Sequence, residues 1–118
     1  MMVGQSEAFD KALAEVRDRF LFDLDQRICD LEYLKSHIVN GPDGVAAARA
    51  VAMMAHKIRG VAPTLGFAQL GGLAASTEKL FSTAGKHPDL AAFWRVAAPV
   101  FEDLLDEMER VQPNYSTG

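Results

Sequence analysis

Apolar residues recur at steps of three and four along almost the whole chain, and no alternating run of β-branched or aromatic residues is long enough for a strand. That pattern commits the chain to an all-α fold. Val16, Phe20, Leu24, Ile28, Leu31, Leu34 and Ile38 form one face of a long helix, which Asn40-Gly41-Pro42-Asp43-Gly44 ends. Upstream, residues 6–18 begin a helix with Ser6 as its N-cap. Whether residues 8–20 form a separate short helix or an extension of the long one stays open. A second helix is predicted over 45–62, punctuated by Pro63-Thr64-Leu65-Gly66. A third, over 67–84, places Leu70, Leu73, Ala74, Thr77, Leu80, Phe81 and Ala84 on one stripe and ends at Gly85-Lys86-His87-Pro88. Pro88 suits the first turn of the last helix, whose buried face is Leu90, Phe93, Ala97, Phe101, Leu104, Met108 and Val111. Pro99 inside it removes one backbone hydrogen bond and should bend it. Four amphipathic segments on short loops favour an antiparallel four-helix bundle with an additional N-terminal helix or helix extension. One domain is expected across residues 1–118, with its core over about 8–111, a tail at 1–5 and a frayed tail at 112–118.

Composition narrows the function. Of 118 residues, 49% are apolar and 24% charged, enough apolar surface to exclude a disordered chain but enough for only one core. The net charge of −4 argues against generic nucleic-acid binding, which needs a basic footprint. Cys29, the one cysteine, excludes an intrachain disulfide and a cysteine-rich zinc site, and beside Ile28 it reads as a partly buried small apolar residue. His37 and His87 fall in or beside loops, and no pair of histidines has metal-ligand spacing, so no metal site is expected. The longest uncharged run, residues 60–77, is rich in glycine and polar residues and is no membrane span. The start of the chain lacks a basic, then apolar, signal region, so a cytoplasmic setting is expected. Glu102, Asp103, Asp106, Glu107 and Glu109 read as a solvated face of the last helix. Gly71-Gly72 lacks the strand and the Gly-Lys-Ser/Thr ending of a phosphate loop, which leaves close helix packing or simple tolerance.

The helix carrying His56 holds the chemistry. With Val51 at zero and about 100° per residue, Met54, Ala55, Ile58, Ala62 and Leu65 fall within roughly 60° of it and form the buried stripe. His56 falls at about 140°, facing solvent with Arg49, Ala52, Met53, Gly60 and Pro63, and with Arg59 at the edge. By position alone the ring is either an inert surface histidine or an exposed nucleophile. An imidazole is largely unprotonated near neutral pH, and its bare nitrogen can attack phosphorus and hold the group. Ala52 and Gly60, one turn to either side, are too small to screen it, and a glycine inside a helix costs on the order of 1 kcal/mol relative to alanine. Lys57 and Arg59 bring positive charge to an incoming phosphoryl group.

The wider string, AHKIRGVAPTLGFAQLGGLAASTEKL over residues 55–80, resembles the signature of histidine-containing phosphotransfer (HPt) domains. In that family a basic residue stands at the third position after the phosphorylated histidine, glycines stand at the fourth and tenth, and a leucine-rich stretch ends near a Glu or Gln. The resemblance implies a four-helix bundle with His56 as phosphoacceptor on the second helix, Arg59 near the phosphoryl group, Gly60 keeping the docking surface open and Gly66 where the helix yields to a turn. Glu78 holds the position whose side chain in the family often hydrogen-bonds the active histidine. Two residues depart from the pattern. Arg59 is planar and bulkier than the commoner lysine. Pro63 stands where small residues are usual and denies the carbonyl of Arg59 its hydrogen bond.

The resemblance further implies a phosphorelay shuttle. His56 would take a phosphoryl group from an aspartate on a receiver domain, of a response regulator or a hybrid kinase, and a second receiver would take it away. The transfer is stoichiometric, without ATP-dependent kinase activity of its own, since no glycine-rich phosphate loop or kinase signature is present. No cofactor is expected on this chain, and Mg²⁺ would come with the receiver. Docking is expected around Ala52, Met53, Gly60 and Pro63, without nucleic acid or membrane, and no seam marks a dimer, so a monomer is expected. The short polar tail fits a free-standing protein. A phosphoacceptor domain of a chemotaxis-type kinase and a helical adaptor with an incidental histidine are the alternatives.

Overall fold

A computed structural model describes the backbone of residues 3–112 and the side chains of residues 7–112. Helix α1 spans Val3–Asn40, α2 Gly44–Val61, α3 Ala68–Phe81 and α4 Leu90–Val111, with 3₁₀ turns at Pro63–Leu65 and Ala84–Lys86. No strand occurs among the described residues. Each helix packs on two others, α1 and α3 both lying against α2 and α4, so the short connections close an antiparallel four-helix bundle. Its core joins Leu24, Ile28 and Leu31 of α1, Val51 and Ile58 of α2, Leu70 and Phe81 of α3, and Phe93, Phe101 and Leu104 of α4. Phe81 sits at the centre of an aromatic cluster, edge-on to Phe93 at 5.2 Å and tilted against Phe101 at 5.8 Å between ring centroids.

The N-terminal segment is an extension, because α1 is unbroken over its 38 residues. Ser6 therefore lies inside the helix and does not cap it. Val16 does not belong to the buried stripe either; it is 52% exposed. At that level the bundle-facing residue is its neighbour Arg17, whose Nε donates to the carbonyl of Leu65 at 3.1 Å, and apolar packing starts in earnest where Phe20 stacks on Phe67. Cys29, one residue round from buried Ile28, is exposed.

Helix ends follow local chemistry. Gly66 closes the turn after α2 at φ +94°, a left-handed conformation that favours glycine, and Pro63, lacking an N–H, opens the 3₁₀ turn before it. Helix α3 stops at Phe81, three residues short of the expected end, because the Ser82 and Thr83 hydroxyls donate to the carbonyls of Lys79 and Leu80 at 2.9 and 2.7 Å. Pro88 precedes α4 instead of joining its first turn. The N-cap is Asp89, whose carboxylate accepts from the Ala92 N–H at 2.7 Å. The helix runs on through Pro99.

The acidic run of α4 is not uniformly solvated. Glu107 is 5% exposed among Leu104, Leu105 and Met108, and Arg110 answers its charge by donating to both carboxylate oxygens. That hydrogen bonding holds the Arg110 guanidinium pKa above its usual range. Gln112, read as the start of a frayed tail, is buried and donates to the carbonyl of Leu21 at 3.0 Å. Residues 113–118 lie outside the described residues.

Candidate functional site

The site grows from the α2 stripe. Val51, Ala55, Ile58 and Ala62 are buried, which turns His56 outward in the last two turns of α2 with 59% of its side chain exposed. Gly60 follows one turn later, and nothing lies within 4 Å of where a side chain there would begin. Met53 is 66% exposed one turn before. Lys57, Arg59, Gly60 and Pro63 are exposed as well.

Ala52 differs from the others. It is buried, because α3 closes over that flank of α2, and it forms the floor of a shallow hollow beside the ring. The hollow, about 220 Å³, is walled by Met53, His56, Lys57, Glu78 and Ser82. A second hollow of about 350 Å³ opens on the other side of the Met53–Lys57 ridge, between Arg27 and Asp30 of α1 and Ala50 and Met54 of α2.

Three polar side chains, those of His56, Glu78 and Arg59, converge here. Glu78, on α3, places Oε2 at 2.8 Å from His56 Nδ1 and Oε1 at 3.1 Å from Arg59 Nε. Arg59, one turn along α2, brings Nη2 to 3.1 Å from the same Nδ1. Packing of α3 on α2 thus brings residues 22 positions apart into contact. Glu78 is the most sheltered of the three, with 27% of its side chain exposed. A carboxylate can only accept, so when Glu78 is hydrogen-bonded to Nδ1 the ring proton sits there. In the neutral ring that tautomer leaves Nε2 with its lone pair free.

Two further glycines clarify the approach. Gly71 lies under Pro63, and a Cβ there would stand 2.5 Å from Pro63 Cγ, so this glycine lets α3 meet the turn after α2. Gly72 faces open space. His37 and His87 take no part. His37 lies against Tyr33 at 4.5 Å on α1, and His87 contacts Thr83 Oγ1 at 3.3 Å near α4. Among the described residues no three His, Cys, Asp or Glu side chains gather in a way that would hold a metal ion, and no helix is long and apolar enough to cross a membrane.

Ser82, Arg27 and Asp30 were not singled out from the sequence. Ser82 carries a faint signal, four positions after Glu78. The two α1 residues carry none, since only the docking of α1 on α2 places them there.

Comparison with curated proteins and with solved structures found no match. The family model described as the Hpt domain matches residues 15–112, a span that takes in α1 from residue 15 onward, the other three helices and every residue of the site. The chain belongs to the Hpt domain family, whose domains carry out histidine phosphotransfer in phosphorelays through contact with receiver domains.

Proposed function

We propose that this protein accepts a phosphoryl group on His56 Nε2 from a receiver-domain aspartate and passes it to a second receiver. The observation that carries the reading is the 2.8 Å contact between Nδ1 and Glu78 on a ring whose side chain is 59% exposed. Glu78 accepts a hydrogen bond from Nδ1–H, which leaves Nε2 bare. As the Nε2–P bond forms, the P–O bond of the acyl phosphate breaks and the donor aspartate leaves as a carboxylate. The ring gains positive charge in that step, and Glu78 offsets it. Transfer of this kind needs positioning more than covalent help. An open Gly60 and the exposed Met53 support close approach of a globular partner. Lys57 and Arg59 supply positive charge that strengthens once an interface excludes water. This chain holds no cofactor in the reading. Mg²⁺ belongs to the receiver's own carboxylate pocket, and the exchange is cytoplasmic between a monomer and transient partners.

The test is incubation with a receiver carrying radiolabelled phosphate, and separately with labelled ATP. Acid-labile, base-stable label on the wild type and none on His56→Gln is the expected result. Label that persists on His56→Gln, or that arrives from ATP alone, overturns the reading.

A further inference from the structure

We infer that Arg59 competes with Glu78 for the one ring nitrogen they share, and so sets how often the other nitrogen of His56 is free to take a phosphoryl group. The inference deepens the phosphoacceptor reading and rests on it for its consequence. Nδ1 has two partners of opposite demand. Glu78 Oε2, at 2.8 Å, can only accept; Arg59 Nη2, at 3.1 Å, can only donate. A neutral imidazole nitrogen carries either a proton or a lone pair, so only one of these contacts is a hydrogen bond at any moment.

The two choices have opposite chemical outcomes. With the proton on Nδ1, Glu78 is satisfied and Nε2 offers its lone pair to phosphorus. With Nδ1 bare, Arg59 donates to it, the proton sits on Nε2, and Nε2 has no lone pair in the ring plane to attack with. Arg59 keeps its place in either case, because its Nε also forms an ion pair with Glu78 Oε1 at 3.1 Å. That second contact weakens the hold of Glu78 on the Nδ1 proton, since the carboxylate's charge is shared with the guanidinium. A planar guanidinium with several N–H groups spans both contacts at once, which a single ammonium does less well.

Transfer then ends the competition. When the Nε2–P bond forms and the donor's P–O bond breaks, the proton stays on Nδ1 and the electron pair leaves with the aspartate. The phosphoryl oxygens present a stronger acceptor than Nδ1 ever did, and Arg59 turns to them. Glu78 is left as the sole partner of Nδ1–H. Arg59 is a positioning residue in the resting protein, acting through the ring proton.

The test reads the proton directly. The full, unphosphorylated chain is labelled with ¹⁵N, and long-range ¹H–¹⁵N correlation of the His56 ring is recorded in alkaline buffer, where imidazole is neutral. His37 and His87 serve as internal references. Arg59→Ala is expected to raise the Nδ1–H to Nε2–H ratio at His56 about threefold, the order of shift that loss of one half-exposed hydrogen bond gives. Glu78→Ala is expected to move it the other way. A ratio in Arg59→Ala that matches the wild type, or that moves toward Nε2–H, overturns the inference. The labelling of His56 is scored separately. A labelled wild type with an unmoved ratio removes the competition and keeps the function; a moved ratio with no label on the wild type does the reverse.

Discussion

An imidazole on a helix surface is a dependable nucleophile only when one nitrogen is committed to a partner and the other is left bare. In the proposed transfer Glu78 supplies that commitment, so Glu78→Ala is expected to slow phosphoryl acceptance about tenfold, equivalent to roughly 1.4 kcal/mol of barrier. Glu78→Gln, whose amide oxygen still accepts from Nδ1–H, should lose less; rapid-mixing transfer from a phosphorylated receiver measures both. Gly60 acts by having no side chain. A Cβ added at Gly60 meets nothing within 4 Å, so Gly60→Leu has open space to start from. It should leave thermal stability unchanged or gain up to about 1 kcal/mol from helix propensity, while transfer falls by an order of magnitude or more. Equal transfer by Gly60→Leu and wild type would remove the open-face account. His56, Arg59, Gly60 and Glu78 could be picked out in the sequence because they match the spacing of the HPt signature. The burial of Ala52 and the placement of Ser82, Arg27 and Asp30 were not, because a helical wheel reports one helix and these follow from how α3 and α1 close on α2.

The four helices and their breakers were readable from periodicity, while their ends were set by single side chains that periodicity does not register. Ser82 and Thr83 cut α3 short, and Asp89 starts α4 where Pro88 had looked the better candidate. The paired glycines of α3 could not be told apart in sequence, and they should respond in opposite directions. Gly71→Ala drives a methyl to 2.5 Å from Pro63 Cγ and should cost about 1–3 kcal/mol in urea unfolding. Gly72→Ala faces open space and should gain up to about 1 kcal/mol from helix propensity. Between α1 and α4, Lys35 Nζ and Glu102 Oε1 meet at 2.9 Å, and that hydrogen bond raises the lysine pKa above its usual 10.5. A raised lysine pKa stabilises the fold below 10.5, and the contribution is lost as pH climbs through the higher folded value. The pair is more than a third exposed on both sides, so Lys35→Met should cost under about 1 kcal/mol at neutral pH, with the difference shrinking above pH 10.5.

For the molecule as a whole, reactivity and stability sit in different places. The core is an apolar interior centred on Phe81, Phe93 and Phe101, and His56, Arg59 and Glu78 contribute side chains only to the surface. The same separation governs α1. At about 1.5 Å per residue, its 38 residues extend about 57 Å, against about 27 Å for the 18 residues of α2. The first part of α1 therefore overhangs the bundle, and residues 7–12 are exposed along their whole circumference. Periodicity could not decide between a separate helix and an extension, because nothing between residues 8 and 20 breaks a helix and little before Phe20 obliges one to pack. An unsupported helical end adds little stability in water. Removing residues 1–12 is accordingly expected to change the unfolding free energy by less than about 0.5 kcal/mol and to leave the transfer rate at wild type, as exposed positions usually allow. Phe81→Ala should cost about 3–5 kcal/mol by emptying the aromatic cluster. Urea titration of the two variants side by side decides it: a truncation that destabilises by 2 kcal/mol or more, or a full chain whose unfolding midpoint depends on protein concentration while that of the truncation does not, would mean that the overhang is packed against something in solution and belongs to the folded unit after all.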